Sequence, residues 1–385
     1  MEPIWYRQLI NTHENGEWNY PGTVGILSDG SLYVIYGYRL SKLEPDSGEI
    51  LATLELPTGA AAPSDTAYNG FNASADGVIV AKSIYREAGC TVQGGDALLQ
   101  CPDPSAVPDS VLVTVDPKTM AVIDQTTLPG LVLGRATLGR YGGREYVYLF
   151  SPTTFVRYAI SADGMLASDP DWDPGPLVEP GQTPGWAVVV MNNWVISQSN
   201  GLPASSPLSV IAVSQADAST KFVVHPFASD PVPPFVARAF SQQAPGGEQA
   251  MSFMPSTLSA DPSTNVIYAM DALPGKIAAL HITSSGLESK WKVDQTTTEF
   301  IAIIGPPDQR AIVATDIPRP EIPGVNKHDE VVWRNAVTGG ELARSPRLPA
   351  MTSATMVQPS YSGTVFYPGT DGQLFKLQPV SAASP

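Results

Sequence analysis

The sequence predicts an all-β chain, folded over residues 1–385 as a single closed β-propeller of seven four-stranded blades. Three observations predict it. A strand, turn, strand pattern recurs along the chain, the composition favours turns over long helices, and a strand-like N-terminal run is placed to complete the last blade.

Composition sets the class. The chain has 33 Gly and 37 Pro and only 15% charged residues. Residues of that kind punctuate many short strands, because Gly and Pro adopt turn geometries that interrupt helices.

The repeat is clearest at Thr23-Val-Gly-Ile-Leu-Ser-Asp-Gly-Ser-Leu-Tyr-Val-Ile and at Asn69-Gly-Phe-Asn-Ala-Ser-Ala-Asp-Gly-Val-Ile-Val. Fainter copies begin near Arg135, Trp186, Phe253, Glu299 and Thr352, which places blade starts near 23, 69, 135, 186, 252, 299 and 352. A second recurring turn supplies the outer strands, at Leu43-Glu-Pro-Asp-Ser-Gly-Glu-Ile, at Val115-Asp-Pro-Lys-Thr-Met-Ala-Val-Ile and at Trp333-Arg-Asn-Ala-Val-Thr-Gly-Gly-Glu-Leu. Pro, Asp, Asn and Gly stand where turn conformations require them. The last unit ends near Gln378, one strand short, and Pro3-Ile-Trp-Tyr-Arg-Gln-Leu-Ile is a strand able to fill that place. Closure of this kind removes exposed strand edges.

Excess length falls in four insertions, 87–110, 168–182, 228–248 and 318–328. Long polar loops on a rigid scaffold either decorate the surface or collect binding function.

In a propeller the first strand of each blade begins near one mouth of the central channel. Thr23, Asn69, Arg135, Trp186, Ser252, Glu299 and Thr352 are therefore the candidate channel residues, with Asn72 beside them. Glu299 follows Thr296-Thr-Thr and precedes Phe-Ile-Ala-Ile-Ile. A carboxylate where a strand turns apolar needs a wet mouth or a partner. Arg135 offers a bidentate donor for a carboxylate, and Asn69 and Asn72 offer amide oxygens. The expected site has Glu299 and Arg135 as catalytic groups, with Asn69, Asn72, Trp186 and Thr352 binding ligand. Oxygen donors of this type suit Ca²⁺ or another divalent cation, held by Glu299 and Asn69. A structural polar ring that only hydrates the channel is the alternative.

The four histidines, His13, His225, His281 and His328, fall in different repeats and read as surface or turn residues. There is no serine-nucleophile elbow, zinc-protease motif or phosphate loop. Asn72-Ala-Ser is a formal glycosylation sequon, set inside an expected strand.

A net charge of −15 repels phosphate backbones, so nucleic acid is excluded as a partner. No apolar run approaches the roughly 18 residues of a membrane-spanning helix. Cys90 and Cys101 flank a Gly-rich stretch that folds back to close a disulfide, or they are two buried thiols. The first reading points to a periplasmic or extracellular protein whose leader has been removed.

The turns at Leu43 and Val115 resemble the blade repeats of quinoprotein-like and YVTN-type propellers. The segment Tyr68-Asn-Gly-Phe-Asn-Ala-Ser-Ala-Asp-Gly is similar to the Asn-Gly-x-x-x-Ser-x-Asp-Gly strand of the gluconolactonase, regucalcin and strictosidine-synthase group, with Tyr68 where that group carries Pro. This second resemblance implies that Asn69 ligates a central divalent ion. Together these readings imply a metal-assisted lactonase-like hydrolase or lyase acting on a small molecule. The alternative is a non-catalytic propeller that holds a protein or glycan on its loops.

Overall fold

The computed structural model describes Leu9 and residues 21–85, 108–132, 134–179, 182, 185–199, 207–237, 257–323, 326–351, 357–360, 363–369 and 373–379. Cys90, Cys101, His13, Ser252, Thr352 and, apart from Leu9, the N-terminal run 3–10 expected as a strand lie outside them.

Among the described residues there are 28 strands, gathered in seven antiparallel sheets. Their strands span 21–55, 66–127, 137–168, 189–224, 259–294, 302–344 and 358–377. Within each sheet the strands pair in chain order, so every sheet is an up-and-down meander. Five of the first six sheets have four strands, and the 302–344 sheet gains a short fifth, Leu348–Pro349. The 358–377 sheet has three.

Burial follows strand position. The second strands are apolar on both faces: every residue of Ile79–Tyr85 is buried, and Leu32–Tyr36 is buried through its centre. Fourth strands such as Ile50–Glu55 and Leu287–Asp294 alternate with solvent. A strand sandwiched between two neighbouring sheets must be apolar on both sides, whereas an edge strand keeps the polar alternation of a half-buried surface.

The chain divides into two compact units. The first holds residues 1–178, 186–190 and 215–219, and the second holds the remainder. In the first unit, Tyr33, Ile35 and Leu40 of one sheet pack against Ile79, Ala81 and Val113 of the next. That sheet's other face, with Val80 and Leu112, meets Val147 and Leu149 of the 137–168 sheet. In the second unit Tyr268 and Ile277 pack against Ile312 and Ala314, while Val313 and Trp333 pack against Val365 and Tyr367. Each fully buried Val, Leu or Ile contributes about 1.5–3 kcal/mol, so these face-to-face layers supply most of the driving force.

The repeated turn has a simple cause. Gly30 and Gly77 adopt φ of 78° and 87°, and each donates its N–H back to the carbonyl three residues earlier, Leu27 and Ser74. Side chains are disfavoured in that left-handed region, which is why both turns end in Asp-Gly.

One topological fact positions everything functional. The first strand of a meander starts at the end where its second strand finishes and its third begins. Insertions between second and third strands, and those between sheets, therefore leave from the end at which first strands start. The insertions at 168–182, 228–248 and 318–328 are of these kinds. Long loops and strand starts thus share one end of the sheets, called here the loop end.

Candidate functional site

In the first unit five of the expected residues, Thr23, Asn69, Asn72, Arg135 and Trp186, lie on or just ahead of neighbouring first strands. Arg135 sits just ahead of its strand, Thr137–Tyr141, and makes a parallel bridge to Ala187. Its N–H donates to the Trp186 carbonyl at 2.6 Å, and the Thr137 hydroxyl donates to Val188 O at 2.8 Å. Asn69 is not the first residue of its strand, Thr66–Ala73, as the repeat pattern suggested. It lies at a register shift between Tyr68 and Phe71, where a bulge re-aims the chain. Asn69 and Trp186 are buried, whereas Thr23, Asn72 and Arg135 are half-buried. Asn72 Nδ2 donates to Ala136 O at 2.7 Å, so this amide ties two first strands together.

Gly70 explains why these strands approach so closely. Its φ is +142°, and a Cβ built there would lie 2.9 Å from Thr23 Oγ1 and 3.8 Å from Arg135 Nε. A side chain at Gly70 would collide with the Thr23 hydroxyl.

Lys82 belongs to the same unit and was not singled out in the sequence. It sits in the wholly buried strand Ile79–Tyr85 at 1% exposure, and Nζ donates to Val132 O at 2.5 Å and Ser83 O at 3.3 Å. Burial, with the nearby Arg135 charge second, pushes its amine well below the usual lysine range. The signal was a Lys, with Ser83 after it, inside an otherwise apolar second strand.

Glu299 occupies the loop end of the second unit, three residues ahead of the strand Ala302–Ile304. It is 4% exposed. Thr298 Oγ1 donates to Oε1 at 3.2 Å, and the Glu299 N–H is held by Thr297 Oγ1. Oε2 is buried and has no hydrogen-bond partner among the described residues. Burial is the main reason its carboxyl is pushed up to about 8, and the negative Asp329 nearby adds to the rise.

Asp329 is the neighbour that sequence reading missed. Its two oxygens accept from Asn326 Nδ2 at 2.7 Å, the Met351 N–H at 2.7 Å and the Tyr367 hydroxyl at 2.9 Å. Burial raises its carboxyl while these donors oppose the rise. Asp271, at the loop end of the 259–294 sheet, is likewise pushed up by burial, to about 6.

Described parts of three insertions are packed. Val232, Phe235 and Val236 of one insertion cluster with Leu273 and with Ile322 of another. In the first unit Trp172 is buried, and Arg157 lies 4.9 Å from its ring and 4.6 Å from that of Tyr146.

The described histidines serve structure. His328 Nδ1 pairs with Glu321 Oε1 at 2.7 Å on the surface. His225 lies 3.3 Å from Ser209 Oγ and 3.4 Å from Glu179 Oε1, which has the outline of a nucleophile relay. Ser209 has no exposed surface and is also bonded to Gln182, which makes it a strut. Among the described residues no three His, Cys, Asp or Glu side chains gather as metal donors, so the divalent-cation expectation rests on single carboxylates and amides. Glu299 belongs to one unit and Asn69, Asn72 and Arg135 to the other.

The meanders, with both faces of their middle strands buried, match solved structures over nearly the whole chain. The Dos1 propeller aligns with a TM-score of 0.52 at 9% identity, covering 92% of this chain and 78% of that one. The fold is a β-propeller. BamB from Moraxella catarrhalis aligns at 0.50 with 14% identity, over 94% and 88% of the two chains. The Cps50 (Swd1) propeller domain of Myceliophteria thermophila aligns at 0.50 with 10% identity, over 94% and 97%. At such identities the likeness establishes fold alone. No family model and no curated protein matches the chain.

Proposed function

We propose that this chain is a seven-bladed propeller, closed by its N-terminal strand, that binds a small molecule at the loop end and uses Glu299 to exchange a proton with it. The supporting observation is the buried Glu299 carboxyl, which has one oxygen without a partner and is pushed up to about 8. Such a group holds its proton at neutral pH and can deliver it to a leaving oxygen, as ring opening of a lactone or a β-elimination requires. Asp329, supplied with three donors, is the more readily ionised of the two carboxyls and discourages a second negative charge beside it. No step is routed through a metal; calcium or another divalent cation, and export to the periplasm or cell exterior, remain parts of the reading to be tested by chelation and by localisation.

Hydrolysis of a panel of lactones and aryl esters, followed by proton release, tests this reading. Turnover should fall as pH rises through about 8, when the donor loses its proton. Glu299→Gln should reduce it by about a hundredfold or more. A wild-type protein that turns over no member of the panel refutes the catalytic reading.

A second reading is favoured by the apolar cluster in which Val232 and Phe235 of one insertion and Ile322 of another pack on buried Val236 and Leu273, so that two insertions are held together. On this reading the chain holds a protein or glycan partner there. Ile322→Asp would then abolish partner capture and leave Glu299-dependent turnover untouched.

A further inference from the structure

We propose that a cavity at the loop end of the seam between the first two sheets, bounded by Pro57, Thr58, Gly59, Val111, Gln125 and Thr127, binds one ring of a neutral sugar, free or at the end of a glycan. The cavity lies within the first unit and rests on neither reading given above.

Its walls are fixed by the fold. On one side the chain leaves the first sheet through Pro57, whose carbonyl accepts from the buried Tyr68 hydroxyl at 2.7 Å, and turns at Thr58, whose carbonyl accepts from the Ala61 N–H at 3.1 Å. Gly59 lets this connection close on the other wall: its φ is +59°, and a Cβ there would stand 2.8 Å from Val111 Cγ2. That wall belongs to the second sheet, where Val111 pairs with Thr127 and Val113 with Gln125. Residues opposite each other in an antiparallel pair share a face, so Gln125 and Thr127 stand on the side where Val111 and Val113 pack toward Tyr33 and Ile35. Both are exposed, and the space between the two walls is a cavity of about 340 Å³.

The chemistry of the lining selects the ligand. Among the described residues no charged side chain bounds the cavity, so neither an anion nor a cation finds a counter-charge there. Thr58, Gln125 and Thr127 each offer both a donor and an acceptor, and among the described residues no hydrogen bond engages these three side chains. A wholly apolar ligand would desolvate them without replacing their bonds to water. Pro57 and Val111 add an apolar patch on which C–H groups are buried favourably. A ring with hydroxyls at its edge and C–H groups on its face meets both demands. The volume stands at the small end of the roughly 300–1,000 Å³ range of ligand pockets, which suits one ring. Because hydrogen bonds and strand pairing already hold both walls, little order has to be gained on binding.

The experiment is saturation-transfer NMR and calorimetric titration of the full chain with the methyl glycosides of glucose, galactose and mannose and with N-acetylglucosamine. Sorbitol serves as an open-chain polyol of similar hydroxyl content. At least one sugar should bind, with transfer to its ring protons, and sorbitol should not. Thr127→Val, which keeps volume and removes the hydroxyl, and Gln125→Ala should each weaken that sugar about two- to tenfold, the effect of one neutral hydrogen bond. Both positions are exposed, so neither substitution disturbs the core. A trisaccharide ending in the same sugar that binds more tightly identifies a glycan end, and equal binding identifies a free sugar; either supports the site. Absence of binding by all four sugars, equal binding of sorbitol, or a sugar affinity unchanged when Thr127→Val and Gln125→Ala are combined overturns it.

Discussion

The two units place opposite burdens at the same end of their sheets. At the loop end of the first, a buried amine and a guanidinium stand beside each other, and Lys82 is pushed down. At the loop end of the second, carboxyls are buried instead, and Glu299, Asp329 and Asp271 are all pushed up. Elsewhere charges are relieved in the ordinary way: Asp29, paired with Lys42 and Tyr33 at the opposite end, is held at about 2. In each unit, ionisable groups shifted by burial lie at the end where loops and strand starts meet. Within a unit, perturbed carboxyls such as Glu299, Asp329 and Asp271 are a functional signal, because a fold that only needed stability would seldom bury them.

The comparison is broken or sharpened first by Glu299. Its folded value of about 8 lies above the ordinary carboxyl value of 4.5, so the native state binds the extra proton. Stability is full below about pH 4.5 and is lost as pH rises through about 8, by on the order of 3–5 kcal/mol. Glu299→Gln should flatten that slope in denaturant midpoints measured from pH 5 to 9. An unchanged slope would place the charge cost elsewhere.

Lys82 should act in the opposite sense. Its folded value is depressed, so stability rises with pH from that value toward the ordinary 10.5. Lys82→Met removes the buried amine at similar volume and should leave the ligand-free protein more stable at neutral pH, by about 1–2 kcal/mol. A loss of stability instead would mean that the bonds to Val132 O and Ser83 O outweigh the burial cost.

The smallest expected effect is Tyr367→Phe. It removes one donor from Asp329 Oδ2 and should cost about 1 kcal/mol. It should also raise the Asp329 carboxyl further, visible as a shift of its carbon resonance titration to higher pH.

Much of the fold was legible because its causes are local. The Asp-Gly turns at 29–30 and 76–77 and the apolar second strands announce themselves within a dozen residues. Glu299 was legible for the same reason, as a carboxylate at the edge of an apolar run; Thr23, Arg135 and Trp186 were legible as residues near strand starts, whereas Asn69 lies inside its strand. Asp329 was not, because its donors Met351 and Tyr367 lie 22 and 38 residues along the chain. The close approach at Gly70 was hidden because it exists only where three first strands meet, and the Asn69 bulge shifts the register that the repeat implied. Lys82 was in plain view, but its meaning depends on which face of its strand meets the next sheet.

Arg157 joins one insertion to its sheet by stacking on Tyr146 and Trp172 while pairing with Asp169 at 2.8 Å. The consequence concerns proteolysis. A protease needs several residues of unfolded chain, and the segment around Trp172 cannot provide them without first withdrawing a buried indole from beneath a guanidinium. Nicking there should therefore keep pace with opening of the 137–168 sheet itself, and limited digestion at this loop becomes a clock for the unfolding of the first unit.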